Sequence, residues 1–285
     1  MFNGNYLRSD TGRVVVTKKK RRGWKKLSYK KALWTCLGLL ILFILIPSIY
    51  RFTINAFRDG LPTTRAIRHV YFQNFGVEIP SGYAIHGIDI SHHQMDISWN
   101  EVASIDVKGV RIQFAFIKAT EGITRQDQHF SRNWRKCKSA GLIRGAYHFY
   151  YPTRDAKQQA ENFIKQVDLL PGDLPPVLDV EVSKHKSKAE IVAGCTEWCE
   201  IIEEHYGVKP IIYTSPGFYD KYLKDDFKDY PLWIAHYYEE LPRMKHRSWD
   251  FWQHTDRAYV RGIGKQVDLN VFNGDLEDLK DLCLD

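Results

Sequence analysis

Several apolar runs in this chain end in side chains that can hold or move a proton, and the most suggestive is PVLDVE at 176–181. Its Asp179 and Glu181 are two residues apart, so on an extended strand both side chains point to one face. Carboxylates that close oppose each other's ionisation, and the pKa of one of them rises. A protonated acid at neutral pH beside an ionised partner is what cleavage of a glycosidic bond requires. The same pair could instead be structural, bonded to arginines or backbone amides, although few cations stand in the strand-like runs. Other runs end in a similar way: Asp89 in GIDIS, Lys118 and Glu121 in IKATEG, Tyr147 and His148 in GAYHFYYP, and Asp268 with Asn270 in VDLN.

Rival chemistries fit less well. A metal-dependent deacetylase could draw on His92, His93 and His148, but it needs an H-x-x-x-H pair on one face, and no such spacing exists. On an extended strand the adjacent His92 and His93 would point to opposite faces. A serine esterase needs G-x-S-x-G, and the nearest stretch, TSPG at 214–217, lacks the first glycine. Cys195 and Cys199 sit four apart in a helical stretch and could form half of a metal site, but no matching Cys/His pair lies nearby. They are expected to be partly buried thiols. Neither a metal nor a cofactor is expected.

The elements that must position these residues recur along the chain. Strand-sized apolar runs occur at 83–91, 114–122, 145–152, 176–181, 210–218, 232–237, 251–255 and 267–272. Between the early ones lie helix-like stretches: FSRNWRKCKSAGL, TRDAKQQAENFIKQVDLL and KAEIVAGCTEWCEIIEEHYG. The last of these stops at a glycine suited to the left-handed C-terminal position. Later connections are short and irregular. Strands alternating first with helices and then with loose links predict an α/β fold, a modified TIM-like barrel, whose chemistry sits at the C-terminal strand ends.

Taken in order, GIDISHHQ, IKATEG, GAYHFY, PVLDVE, PIIYTS, LWIAHY, FWQHT and VDLNVF resemble the family 25 lysozymes, or Chalaropsis-type muramidases, across residues 83–274. The resemblance implies a (β/α)5(β)3 barrel and hydrolysis, with retention, of the β-1,4 bond between N-acetylmuramic acid and N-acetylglucosamine in peptidoglycan. It implies Glu181 as general acid, Asp179 as its neighbour orienting the substrate's acetamido group, and Asp89 and Asp268 as further pocket acids. Lys118, with Glu121 and Asn270, would contact the glycan. Tyr147, Trp233, Tyr237 and Trp252 match aromatic groove positions, where rings can meet the CH faces of sugars, though the same rings would also suit barrel packing. His93, Gln94 and His254 depart from the family pattern. A non-enzymatic alternative is a dead barrel that tethers wall glycan to a membrane, against which the retained Glu181 counts.

The charge is unevenly distributed. Residues 1–31 carry eleven Lys or Arg against Asp10 alone, a net of +10, so the whole-chain +7 leaves −3 for the remainder. The basic character therefore belongs to a tail, and a nucleic-acid partner loses its main support. Residues 32–50, ALWTCLGLLILFILIPSIY, form an uncharged run long enough to cross a bilayer as a helix. The run is too long for a usual signal peptide core, and no small-residue cleavage site follows it. The expected layout is a basic cytoplasmic tail (1–31), a transmembrane helix (32–50), a stalk or linker (51–80) and a catalytic barrel (81–285). The cation asymmetry predicts a single-pass protein of a bacterial cell membrane with its barrel outside the cytoplasm. It would act as a monomer, with peptidoglycan strands and the lipid bilayer as partners.

Overall fold

A computed structural model describes residues 68–242, 244 and 247–285. The expected basic tail, the expected transmembrane helix and residues 51–67 of the expected stalk lie outside the described residues. Among the described residues no helix is long and apolar enough to cross a membrane.

All eight expected strands form. They are β3 (Ile85–Ile90), β4 (Ile112–Glu121), β6 (Ile143–Phe149), β7 (Val177–Asp179), β8 (Ile211–Thr214), β9 (Leu232–Ala235), β10 (Phe251–Ala258) and β11 (Val267–Phe272). They pair in the order β3-β4-β6-β7-β8-β9-β10-β11, and β11 returns to β3, so the sheet closes into a barrel. Every pairing from β3 round to β10 is parallel, whereas β11 runs antiparallel to both of its neighbours. A two-residue strand, β5 (Arg125–Gln126), pairs with the end of β4.

Helical segments follow the first five barrel strands. They are α1 (Trp99–Ala103), α2 (Phe130–Ser139), α3 (Ala156–Gln166), α4 (Lys188–Tyr206) and a short turn from Pro216–Phe218 into Tyr219–Leu223. The longest, α4, opens with a capping box between Ser187 and Glu190 and closes on Gly207 at φ +74°, where a side chain would be strained.

Strand alternation divides the core in two. One layer, between barrel and helices, contains Ile88, Ile90, Ile117, Phe163, Trp198 and the buried thiols Cys195 and Cys199. The barrel interior holds Phe114, Phe116, Tyr213, Trp233 and Phe251, with Phe116 stacked on Trp233 at 4.3 Å between ring centres. Glycines make room for these rings. A Cβ on Gly87 would lie 2.4 Å from the Phe114 ring, and one on Gly145 would lie 2.5 Å from Phe116.

The stalk expectation fails over its last residues. β1 (His69–Phe72) and β2 (Val77–Pro80) form an antiparallel hairpin, and Phe75, Val77 and Ile79 bury into the outer core. The alternation of Val77, Glu78 and Ile79 after the left-handed Gly76 is an ordinary hairpin signal.

Candidate active site

Asp89, near the end of β3, stands directly across from Asp268 at the start of β11. A single Asp89 oxygen, Oδ2, accepts hydrogen bonds from Gln253 Nε2 at 2.7 Å and from Asn270 Nδ2 at 2.8 Å. The Asn270 carbonyl in turn accepts from Trp233 Nε1 at 2.8 Å, so an interior ring fixes the amide that holds the acid. Gln253 also accepts from the hydroxyls of Tyr213 (2.7 Å) and Tyr237 (2.8 Å). Burial pushes Asp89 up to about 6, its two amide donors restrain the rise, and the nearby Glu181 charge adds to it. Burial, then the Asp89 charge, push Asp268 up to about 9.

Asp179 is the last residue of β7 and is buried. Its carboxyl lies well above the usual carboxylate range, first through burial and then through the Glu181 charge. Its Oδ1 has no hydrogen-bond partner among the described residues. Glu181 lies just beyond the strand end, where Val180 N–H donates to Tyr213 O at 3.0 Å and carries the chain on along β8. Its side chain reaches solvent at the rim, and partial desolvation raises its pKa against the pull of Lys118. Among the described residues neither Asp179 nor Glu181 is in an ion pair, which removes the structural alternative of carboxylates neutralised by barrel arginines.

Lys118 Nζ donates to Glu121 Oε2 at 2.8 Å. Burial alone would raise Glu121, but Lys118, the Tyr151 hydroxyl at 2.9 Å and Arg125 overcome it and hold the carboxyl low. Glu121 is therefore an ionised anchor that aims Lys118 at the acid cluster. Tyr147 and Tyr237 stand half-buried near the same carboxylates, and those charges, after burial, push both phenols up.

Four expectations need correction. Trp233 is packed inside the barrel at 2% exposure, and Asn270 is wholly buried with its amide engaged by Trp233 and Asp89, so neither meets a glycan. Trp252 does not line the groove: it belongs to the outer layer, fully buried against Tyr83 and Trp249, with Nε1 donating to His236 O at 2.8 Å. Alternation explains this, because Phe251 and Gln253 take the interior face and Trp252 the other. His92 and His93 are not on a strand. They occupy a helical turn, His92–Gln94, with their rings 4.0 Å apart and His92 Nδ1 3.1 Å from Asp127 Oδ2. His148 is buried and bonded to Thr120 and Gln159. Sequence reasoning missed Gln253 and Tyr213; the F-W-Q alternation was the available signal for the first.

A closed barrel whose C-terminal strand ends gather several carboxylates and half-buried tyrosines defines a barrel glycosidase. The chain belongs to the glycosyl hydrolases family 25, whose model matches residues 88–263. It is 42% identical to the Escherichia coli K12 protein called Uncharacterized protein YegX over 253 residues, covering 87% of this chain and 92% of that one. It is 32% identical to Lysozyme M1 of Streptomyces globisporus over 208 residues, 67% of this chain and 68% of the relative. Among solved structures, a family 25 glycosyl hydrolase from Bacillus anthracis aligns with TM-score 0.65 at 32% identity, covering 78% of this chain and all (100%) of its own.

Proposed function

We propose that the chain is a peptidoglycan-cleaving lysozyme that hydrolyses the β-1,4 bond between N-acetylmuramic acid and N-acetylglucosamine, with retention. The observation that carries this reading is the carboxylate cluster of Asp89, Asp179, Glu181 and Asp268, all with raised pKa values, at the open end of a family 25 barrel. The printed name of the Streptomyces relative, a lysozyme, agrees with it.

Glu181 is the general acid in this scheme. Of the Asp179 and Glu181 pair it is the more exposed, and a glycan laid over the rim would strip away its solvent and raise its pKa further. Asp179, with a free buried oxygen aimed at no protein donor, is placed to take the N–H of the substrate's acetamido group. That group's carbonyl oxygen can then attack the anomeric carbon as the glycosidic C–O bond breaks and Glu181 protonates the departing oxygen; water, giving a proton to the Glu181 carboxylate, then opens the resulting cyclic intermediate with net retention. Lys118 holds hydroxyls, while Tyr147 and Tyr237 offer ring faces to the sugars, and the buried Asn270 holds Asp89 rather than the glycan. Trp233 acts through Asn270.

By the charge and hydropathy pattern of residues 1–50, the protein is anchored in a bacterial cell membrane, with the barrel outside the cytoplasm. Incubation of the full chain with purified peptidoglycan tests the activity. N-acetylmuramic acid at the new reducing ends supports it, and N-acetylglucosamine ends, or none, refute it.

A further inference from the structure

Outside the barrel wall, the β1–β2 hairpin and the outer face of β10 enclose a cavity of about 700 Å³. That volume falls within the range of about 300–1,000 Å³ usual for small-molecule sites. The cavity shares a wall with the catalytic mouth. Tyr237 turns inward to Gln253, while the next residue, Tyr238, at φ +57°, turns outward to bond Asp256 and line the cavity. His69 Nε2 lies 3.2 Å from Glu240 O and fastens the hairpin to this same loop.

The inner wall carries an unsatisfied group. His254 is 3% exposed, and its Nε2 has no hydrogen-bond partner among the described residues. A buried polar atom left without a partner calls for one from outside. Burial holds the ring neutral, so His254 offers a hydrogen bond and no charge.

The remaining lining narrows the visitor's chemistry. Arg68 and Arg257 face Glu78, Glu239 and Glu240, a near balance that suits neither a polyanion nor a polycation. Tyr71 and Tyr238 are 61% and 59% exposed, and the Arg257 guanidinium sits 5.0 Å from the Tyr238 ring. Exposed phenol faces beside interspersed donors and acceptors match sugar rings, which present apolar CH faces edged with hydroxyl and acetamido groups.

We propose that this cavity is a second saccharide-binding site, which holds N-acetylated sugar units of a glycan strand outside the catalytic mouth. The choice of glycan rests on the reading of the chain as a peptidoglycan-cleaving enzyme.

The test is calorimetric titration of the full chain carrying Glu181→Gln with the soluble N-acetylglucosamine tetramer, with and without the double substitution Arg68→Ala, Tyr71→Ala. Both replaced side chains are exposed, so the fold should survive, and circular dichroism checks that it does. Loss of a ring face and a cation should weaken one binding event by about threefold to tenfold or more. In the Glu181 background the double substitution should slow digestion of insoluble wall while leaving hydrolysis of a short soluble glycan unchanged. A titration identical in both proteins overturns the proposal. No turnover is read in the titration, so a chain that binds through Tyr71 yet leaves peptidoglycan uncut refutes the proposed activity and leaves this site standing.

Discussion

Replacing Gln253 with methionine keeps the volume of the side chain and removes its hydrogen bonds, and the structure says what should follow. Asp89 would lose one of the two donors to Oδ2, and Tyr213 and Tyr237 would lose their shared acceptor. A hydrogen bond to a charged group contributes about 1.5–3 kcal/mol, so the Asp89 pKa should climb further above 6 by about one unit or more. Tyr213 is 7% exposed and cannot turn to water, so its orphaned hydroxyl adds about 1–3 kcal/mol, whereas Tyr237 can turn outward. At neutral pH the variant should be less stable by about 2–5 kcal/mol. The deficit should shrink toward pH 4, where Asp89 is protonated in both proteins and only the tyrosine contribution remains. Urea unfolding at pH 4, 5.5 and 7 measures this, and the acid limb of the pH–activity profile should move to higher pH in parallel. Equal stability at every pH, with an unmoved acid limb, would refute the claim that Gln253 sets the ionisation of Asp89.

Two further outcomes follow from the same packing. Asp268, raised to about 9 in the folded chain, holds a proton that the unfolded chain releases near pH 4, so the wild type loses stability as pH rises across that interval. Asp268→Asn should flatten this slope, gaining on the wild type between pH 5 and pH 9 in urea unfolding, and parallel curves would contradict it. Gly87→Ala would place a Cβ 2.4 Å from the Phe114 ring, two residues from Asp89, and should cost about 1–3 kcal/mol together with a drop in turnover. Thermal unfolding and activity that both match the wild type would show that the barrel yields more readily than its packing implies.

The barrel was legible because each strand announced itself as an apolar run ending in polar residues, and because helices between the early runs carried their own caps. Gly207 and the Ser187–Glu190 box are local signals, and local signals survive folding. Asp89 and Asp179 were found for a similar reason, since a carboxylate closing an apolar strand conflicts with burial unless it serves a purpose, whereas Asp268 opens its strand and was found through the resemblance to the family. Trp252 was misjudged because a strand has two faces, and nothing short of the register tells which face turns inward. Gln253 was overlooked because an amide acts by linking Asp89 to Tyr213 and Tyr237, residues distant in sequence, and such a link exists only after the barrel closes. The hairpin at residues 69–80 was hidden by its charged and exposed outer face, Tyr71 and Glu78 among it. His92 and His93 misled because a helical turn replaces the strand immediately after Ile90.

The account stands or falls on Glu181. As the glycosidic oxygen leaves it gains negative charge that a protonated carboxyl can neutralise and an amide cannot, so turnover and binding should separate in Glu181→Gln. Release of reducing ends from purified peptidoglycan, measured beside sedimentation of the protein with the same material, reads both quantities in one experiment. The account predicts hydrolysis reduced by about a hundredfold or more with binding retained. Hydrolysis at the wild-type rate in Glu181→Gln would contradict it and move the proton donor to another member of the cluster.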